Sequence, residues 1–158
     1  MKHFDYFAPT EIIFGAGRVT EAGALAARYG KKAMLVTVPE FPAVAELYAK
    51  VKKSLADAGV ACVHYDGVIP NPTTELVTRG AELAKAEGVD VVIGLGGGSS
   101  MDTAKAIAVE ATHPGTAWDY NCHTAGPTEQ TLPILAISTT AGTGSQTTPC
   151  AVITKTSA

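Results

Sequence analysis

A chain of 158 residues, 46% hydrophobic and 17% charged, has the size and composition of one globular domain with a real core. Its formal net charge of -3 leaves no electrostatic footprint for nucleic acid or an anionic membrane, so neither is expected as a partner. Three cysteines, Cys62, Cys122 and Cys150, are an odd number without CxxC spacing, which argues against a disulfide framework or a structural zinc site and fits a reducing, cytoplasmic setting. No run approaches the roughly 18 apolar residues of a membrane span, and Asp5 falls where a signal peptide would need its apolar core.

In chain order, Phe4 to Phe7 and Glu11 to Phe14 are aromatic and β-branched runs around Ala8-Pro9-Thr10, which predicts a small amino-terminal β-hairpin. Gly15-Ala16-Gly17-Arg18-Val19-Thr20 leads into an Ala-rich helix that should stop near Gly30. It is a partial dinucleotide fingerprint with Thr20 in place of the third glycine, and a plain turn is the better reading. Ala33 to Val38 predicts a buried strand. Val38 and Pro39 occupy its end, where an acid often grips a ribose, and Glu40 follows, so NAD against NADP stays open. Val44, Leu47, Tyr48, Val51 and Leu55 recur at helical spacing between Ala43 and Ala58, with Lys50, Lys52 and Lys53 on a solvated face.

Ala61 to Tyr65 predicts a third strand, opening into the turn formers of Asp66 to Thr73. Asn71 as cap, Pro72 at the first helical position and Glu75 in the first turn predict a helix ending near Gly88. Asn71 also sits at the carboxyl edge of a strand, where it could equally touch a ligand. Val91 to Gly96 then runs through Gly97 and Gly98 into Ser99-Ser100-Met101-Asp102 and a small-residue helix to Ala111, the pattern of strand, phosphate-cradling turn and helix. Ser99 and Asp102 have capping-box spacing, so the plain reading of Asp102 is a structural carboxylate.

Trp118 to Gln130 is polar and without period, and reads as a surface loop or lid. His113, Cys122 and His123 match no metal-ligand spacing. Pro133 to Ser138 predicts another buried strand, followed by Thr139-Thr140-Ala141-Gly142-Thr143-Gly144-Ser145-Gln146-Thr147-Thr148. Alone that hydroxyl-rich stretch is an ordinary polar loop. Following a strand, as the first glycine turn does, it is expected beside that turn at one sheet edge. Ala151 to Thr154 predicts one more strand. The sum is an α/β class chain, a doubly wound, mostly parallel sheet with helices on both faces, Rossmann-like, as one dinucleotide-binding domain over 1–158.

Phe14-Gly15-Ala16-Gly17, Pro70-Asn71-Pro72-Thr73, Gly96-Gly97-Gly98-Ser99 with Asp102 and Lys105, Trp118-Asp119-Tyr120, and Thr139 to Ser145 stand in one order over essentially the whole chain. In these motifs the sequence resembles the amino-terminal, cofactor-binding domain of the iron-containing (group III) alcohol dehydrogenases. The resemblance implies a cofactor site at Asn71, Gly96, Gly97, Gly98, Ser99, Asp102, Thr139, Thr140 and Thr143, with NAD or NADP as the dinucleotide. It implies hydride transfer between a small primary or secondary alcohol, or its aldehyde, and nicotinamide, with Fe(II) or Zn(II) polarising the alcohol oxygen in full-length members. The family's Asp and three His ligands match nothing in these residues, so no catalytic or metal-binding residue is expected in this chain, which should be inactive alone and prone to self-association through uncovered apolar surface. Gln146 and Lys155 stand where the family usually has Glu and Asp. The competing readings are a stand-alone nucleotide-binding module, or a relative such as glycerol dehydrogenase or dehydroquinate synthase.

Overall fold

In a computed structural model that describes His3, residues 7–120 and residues 126–156, four apolar runs pair as parallel strands. These are β1 (Lys32–Val36), β2 (Ala61–Tyr65), β3 (Val91–Gly96) and β4 (Ile134–Ser138), in the sheet order β2-β1-β3-β4. Met34 of β1 lies opposite Val63 on one side and Val92 on the other, while Gly94 of β3 lies opposite Ala136 of β4. The connections carry α1 (Ala22–Ala26), α2 (Pro42–Asp57), α3 (Thr74–Glu87) and α4 (Gly98–Glu110).

Strand alternation divides the core into two layers. Ala33, Leu35, Val91, Ile93 and Leu95 face α1 and α2, where Ala26, Tyr48, Val51 and Leu55 meet them. Met34, Val36 and Val92 face α3 and α4, packing with Val77, Ala84, Ala104 and Ile107. Helices on both faces explain why β1 and β3 read as unbroken apolar runs. The expected doubly wound α/β architecture is therefore present. β2 and β4 are its edges, and contrary to the expectation of buried strands they keep Ala61, Cys62 and Ile134 exposed.

Four sequence expectations are corrected. Glu11 to Phe14 forms no strand, and of Phe4 to Phe7 only Phe7 is among the described residues. Phe7, Ile12 and Phe14 are 88%, 71% and 91% exposed; β-propensity stabilises a strand only where a ladder partner and a covering layer exist, and neither is found there among the described residues. The helix after β2 starts two residues later than predicted: Thr73, not Asn71, is its cap, and its hydroxyl accepts from the Leu76 amide at 3.4 Å. Thr73 is held extended, its neighbours tied to Thr154: the Pro72 carbonyl accepts from Thr154 N at 2.8 Å and Thr74 N donates to the Thr154 carbonyl at 3.0 Å. That pairing is all that exists of the strand predicted at Ala151 to Thr154, a single parallel bridge to Thr73. The segment Gly15 to Gly30 is a turn, a short 3-10 stretch at Arg18–Glu21 and only five residues of α-helix.

The lysines of α2 lie on a solvated face as expected, Lys50 paired with Glu46 at 2.7 Å and Lys53 with Asp57 at 2.6 Å. Trp118 to Tyr120 belongs to a 3-10 turn, not to irregular loop; the Tyr120 hydroxyl donates to the Pro114 carbonyl at 2.8 Å. Residues 121–125, with Cys122 and His123, lie outside the described residues. Among those described, no helix is long and apolar enough to cross a membrane.

Candidate dinucleotide cleft

The cleft is built on β3. Gly94 lets α4 lie directly on the sheet, since a Cβ there would stand 2.9 Å from both Ala104 Cβ and Met101 Cα. Gly96 leaves the strand at φ 144°, a conformation that L side chains rarely adopt. Gly97 then caps α4 with no side-chain hydrogen bond to its first-turn amides. A Cβ on Gly97 would meet nothing within 4 Å, so the turn opens onto free space there. Unsatisfied amides and the positive end of the helix dipole converge on that space, the arrangement that binds phosphate.

The stretch after β4 is drawn to the same place. Thr139 N donates to the Gly96 carbonyl at 2.9 Å, and a Cβ on Gly98 would come within 2.7 Å of Thr143 Cγ2. Between the two turns lies an open cleft of about 330 Å³. Asn71 and Pro72 wall it on one side and Gly98, Ser99 and Asp102 form its α4 side; Thr143, Ser145, Thr148, Cys150 and Val152 close the third. Asn71 holds φ 53°, a left-handed conformation that asparagine tolerates better than most residues. That places it on the cleft wall and not at the start of α3.

Asp102 overturns the capping-box expectation. With Gly97 as the cap, Ser99 is already helical, and the Asp102 carboxylate turns toward the other loop. Its Oδ1 accepts from Ser145 Oγ at 2.6 Å and its Oδ2 from Val152 N at 3.2 Å. Behind it Lys105, 8% exposed, donates through Nζ to Ser145 Oγ at 2.8 Å and to the Cys150 carbonyl at 2.6 Å. Burial pushes the Lys105 ammonium below the ordinary lysine value, and the Asp102 carboxylate, with Nζ 3.5 Å from Oδ1, partly opposes that shift.

Of the nine residues expected at a cofactor site, Asn71, Gly98, Ser99, Asp102 and Thr143 line this cleft. Gly96 and Gly97 form the turn that enters it. Thr139 and Thr140 are exposed at the end of β4 and do not line it. Sequence reasoning assigned no role of their own to Lys105, Cys150 or Val152, and Thr148 entered only as one hydroxyl of the loop after β4. Lys105 left a readable signal: with Asp102 it makes an i, i+3 charge pair in an otherwise small and apolar helix.

The chemistry of the donors does not fit a metal here. Among the described residues, no three His, Cys, Asp or Glu side chains are grouped to hold an ion. His113 is engaged within the protein, with Nε2 accepting from Thr128 N at 3.0 Å and Nδ1 2.9 Å from the Val109 carbonyl.

A strand, glycine turn and helix facing a hydroxyl-rich loop is the geometry that the motif order implied, and the family model for iron-containing alcohol dehydrogenase matches residues 9–158. The chain belongs to the iron-containing alcohol dehydrogenase family. It is 46% identical to a choline dehydrogenase of Bacillus subtilis over 98% of its own length and 39% of that protein. It is 40% identical to alcohol dehydrogenase 4 of Schizosaccharomyces pombe, over 95% of this chain and 35% of the relative. Among solved structures, the archaeal Red Sea brine pool alcohol dehydrogenase ADH/D1 bound to NZQ superposes with a TM-score of 0.92 at 42% identity, covering 98% of this chain and 41% of that one. The sulfoacetaldehyde reductase of Bifidobacterium kashiwanohense in complex with NAD+ gives a TM-score of 0.76 at 30% identity, over 94% of this chain and 39% of that one. The chain thus spans less than half the length of these relatives.

Proposed function

We propose that this chain forms the dinucleotide-binding half of a metal-dependent alcohol dehydrogenase, with NAD or NADP held in the cleft between the β3–α4 turn and the loop after β4. The observation that carries the reading is the uncapped start of α4, open at Gly97 and faced by Thr143 across a contact that only glycine at position 98 allows. The pyrophosphate belongs on the amides at the start of α4, with the Ser99 and Thr143 hydroxyls within the same cleft and Asn71 on the opposite wall. Gly96, Thr139 and Thr140 serve by shaping the two turns that enter the cleft.

A bound nicotinamide would supply the hydride acceptor for an alcohol carbon, or the hydride donor for a carbonyl. The residues of this chain bind and orient the dinucleotide. No proton-transfer or metal step is assigned to them, and the isolated chain is expected to bind cofactor without oxidising alcohols. The substrate class is a small alcohol or aldehyde. Phe7, Ile12 and Phe14, exposed among the described residues, support the expected self-association, which sedimentation equilibrium tests directly.

Calorimetric titration of the chain with NAD and with NADP tests the reading. Saturable binding of either one, abolished by excess ADP, is the expected result; no heat with either would overturn it.

A further inference from the structure

At the far end of α4 from the cleft, Glu110 and His113 are buried side chains that can change charge, and each holds a backbone amide of the segment that follows. Glu110 is 4% exposed, and its Oε2 accepts from Ala117 N at 2.8 Å. His113 is 6% exposed, and its ring bridges the last turn of α4 to Thr128, fifteen residues further along the chain. The Tyr120 ring packs on it edge to face, with centroids 5.0 Å apart.

The hydrogen bonds assign the proton on the imidazole. Nδ1 lies 2.9 Å from the Val109 carbonyl, which can only accept, so Nδ1 carries the hydrogen. Nε2 lies 3.0 Å from Thr128 N, which can only donate, so Nε2 presents its lone pair. The Thr112 hydroxyl at 2.9 Å from Nδ1 and the Thr128 hydroxyl at 3.0 Å from Nε2 suit either charge state. The one contact an imidazolium cannot keep is the Thr128 amide, where N–H would face N–H.

Which side then lets go follows from the surroundings. The Val109 carbonyl and the negative end of α4 favour a cation, so the protonated ring stays on the helix. Thr128 is exposed, and water can take over its amide. Its turn is tied to itself, with Thr131 N and Oγ1 donating to the Thr128 carbonyl at 3.1 and 2.8 Å, so it can move as one piece. Among the described residues, the other titratable side chains on α4's last turn, the 3-10 turn and residues 126–132 are Glu110, Asp119, Tyr120 and Glu129. Glu110 is bound to Ala117 N, Asp119 to Thr116 N and the Tyr120 hydroxyl to the Pro114 carbonyl, while Glu129 is exposed.

We propose that His113 is an acid-sensitive latch: the neutral ring holds the Thr128–Thr131 turn against the end of α4, and the protonated ring releases it. The latch stands apart from the dinucleotide reading, because Gly97 and the cleft lie at the other end of the helix.

The test follows the isotope-labelled 158-residue chain by NMR from about pH 8 to about pH 5, the range in which histidine changes charge. At the upper end the His113 ring should carry its proton on Nδ1 and none on Nε2. As the ring takes up a second proton, the Thr128 amide should lose about threefold or more of its hydrogen-exchange protection, corrected for the intrinsic effect of pH, with the same midpoint as the ring. His113→Gln offers an acceptor that does not titrate and should abolish this step while the other three histidines remain. Thr128→Ala removes the hydroxyl to which a protonated Nε2 can still donate, and should enlarge it.

A proton on Nε2 at the upper end, a Thr128 amide indifferent to the titration of the ring, or a step that survives in His113→Gln would each overturn the proposal. Should the glutamine variant fail to fold, the first two readings on the parent chain decide it.

Discussion

The turns at Gly15–Gly17 and at Gly96–Gly98 both set glycines ahead of a helical segment, yet only the second leaves the end of a sheet strand. Gly17 opens a short 3-10 stretch on the surface, where Arg18 and Glu21 pair at 2.7 Å in solvent. Gly96 ends the strand most enclosed by its neighbours, and its turn is met by Thr139, Thr143 and Asn71 from two other loops. A glycine turn becomes a ligand cradle when a rigid strand aims it and a second loop faces it. The helix starts repeat the lesson: α3 satisfies its own amides with Thr73 and carries Glu75 in its first turn, whereas α4 begins bare.

The largest effect should come from the glycine beneath the cradle. Gly94→Ala brings a methyl group 2.9 Å from Met101 Cα and Ala104 Cβ, and is expected to lower unfolding stability by about 1–3 kcal/mol in urea titrations. Gly97→Ala separates ligand from fold. Its φ of -82° suits alanine and nothing lies within 4 Å, so stability should move by less than about 0.5 kcal/mol while NAD binding weakens about tenfold. Unchanged NAD affinity in that variant would place the pyrophosphate elsewhere.

Gly17→Ala supplies the opposite control. At φ 79° alanine is strained by about 1 kcal/mol, and calorimetry with NAD should show no change. The smallest effect belongs to the satisfied helix start. The Thr156 hydroxyl at 2.5 Å, helped by the amide of Glu75 itself, holds the Glu75 carboxyl at about 2. A folded value below the ordinary 4.5 means its contribution is complete above that pH and is lost as pH falls toward about 2. The thermal midpoint of Glu75→Gln should therefore fall less steeply than that of the parent over this window, by a margin kept small by solvent exposure.

Much of the sheet was readable because buried parallel strands leave unbroken apolar runs: Ala33 to Val38 and Val91 to Gly96 predicted β1 and β3 within two residues. Helix α2 was equally plain from its apolar period. The amino-terminal run from Glu11 to Phe14 carried the same β-branched signal and formed no strand, because propensity does not supply a pairing partner. In the cleft, the glycine and threonine loops announced themselves by composition, but the capping role predicted for Asp102 was lost to Ser145 and Val152, more than forty residues away in the chain.

Local residue chemistry was enough to predict the alternation of strands and helices and the two loops that meet at one sheet edge. Such features depend on periodicity, on glycine's lack of a side chain and on short spacings, all of which are written in consecutive residues. Which strands became edges, which uncapped helix start faced the cleft and where the Asp102 and Lys105 charges found their partners depended on packing. A hydrogen bond between Lys105 and Ser145 spans forty residues of chain, and it depends on the pairing of β3 with β4, which brings both loops to the same end of the sheet.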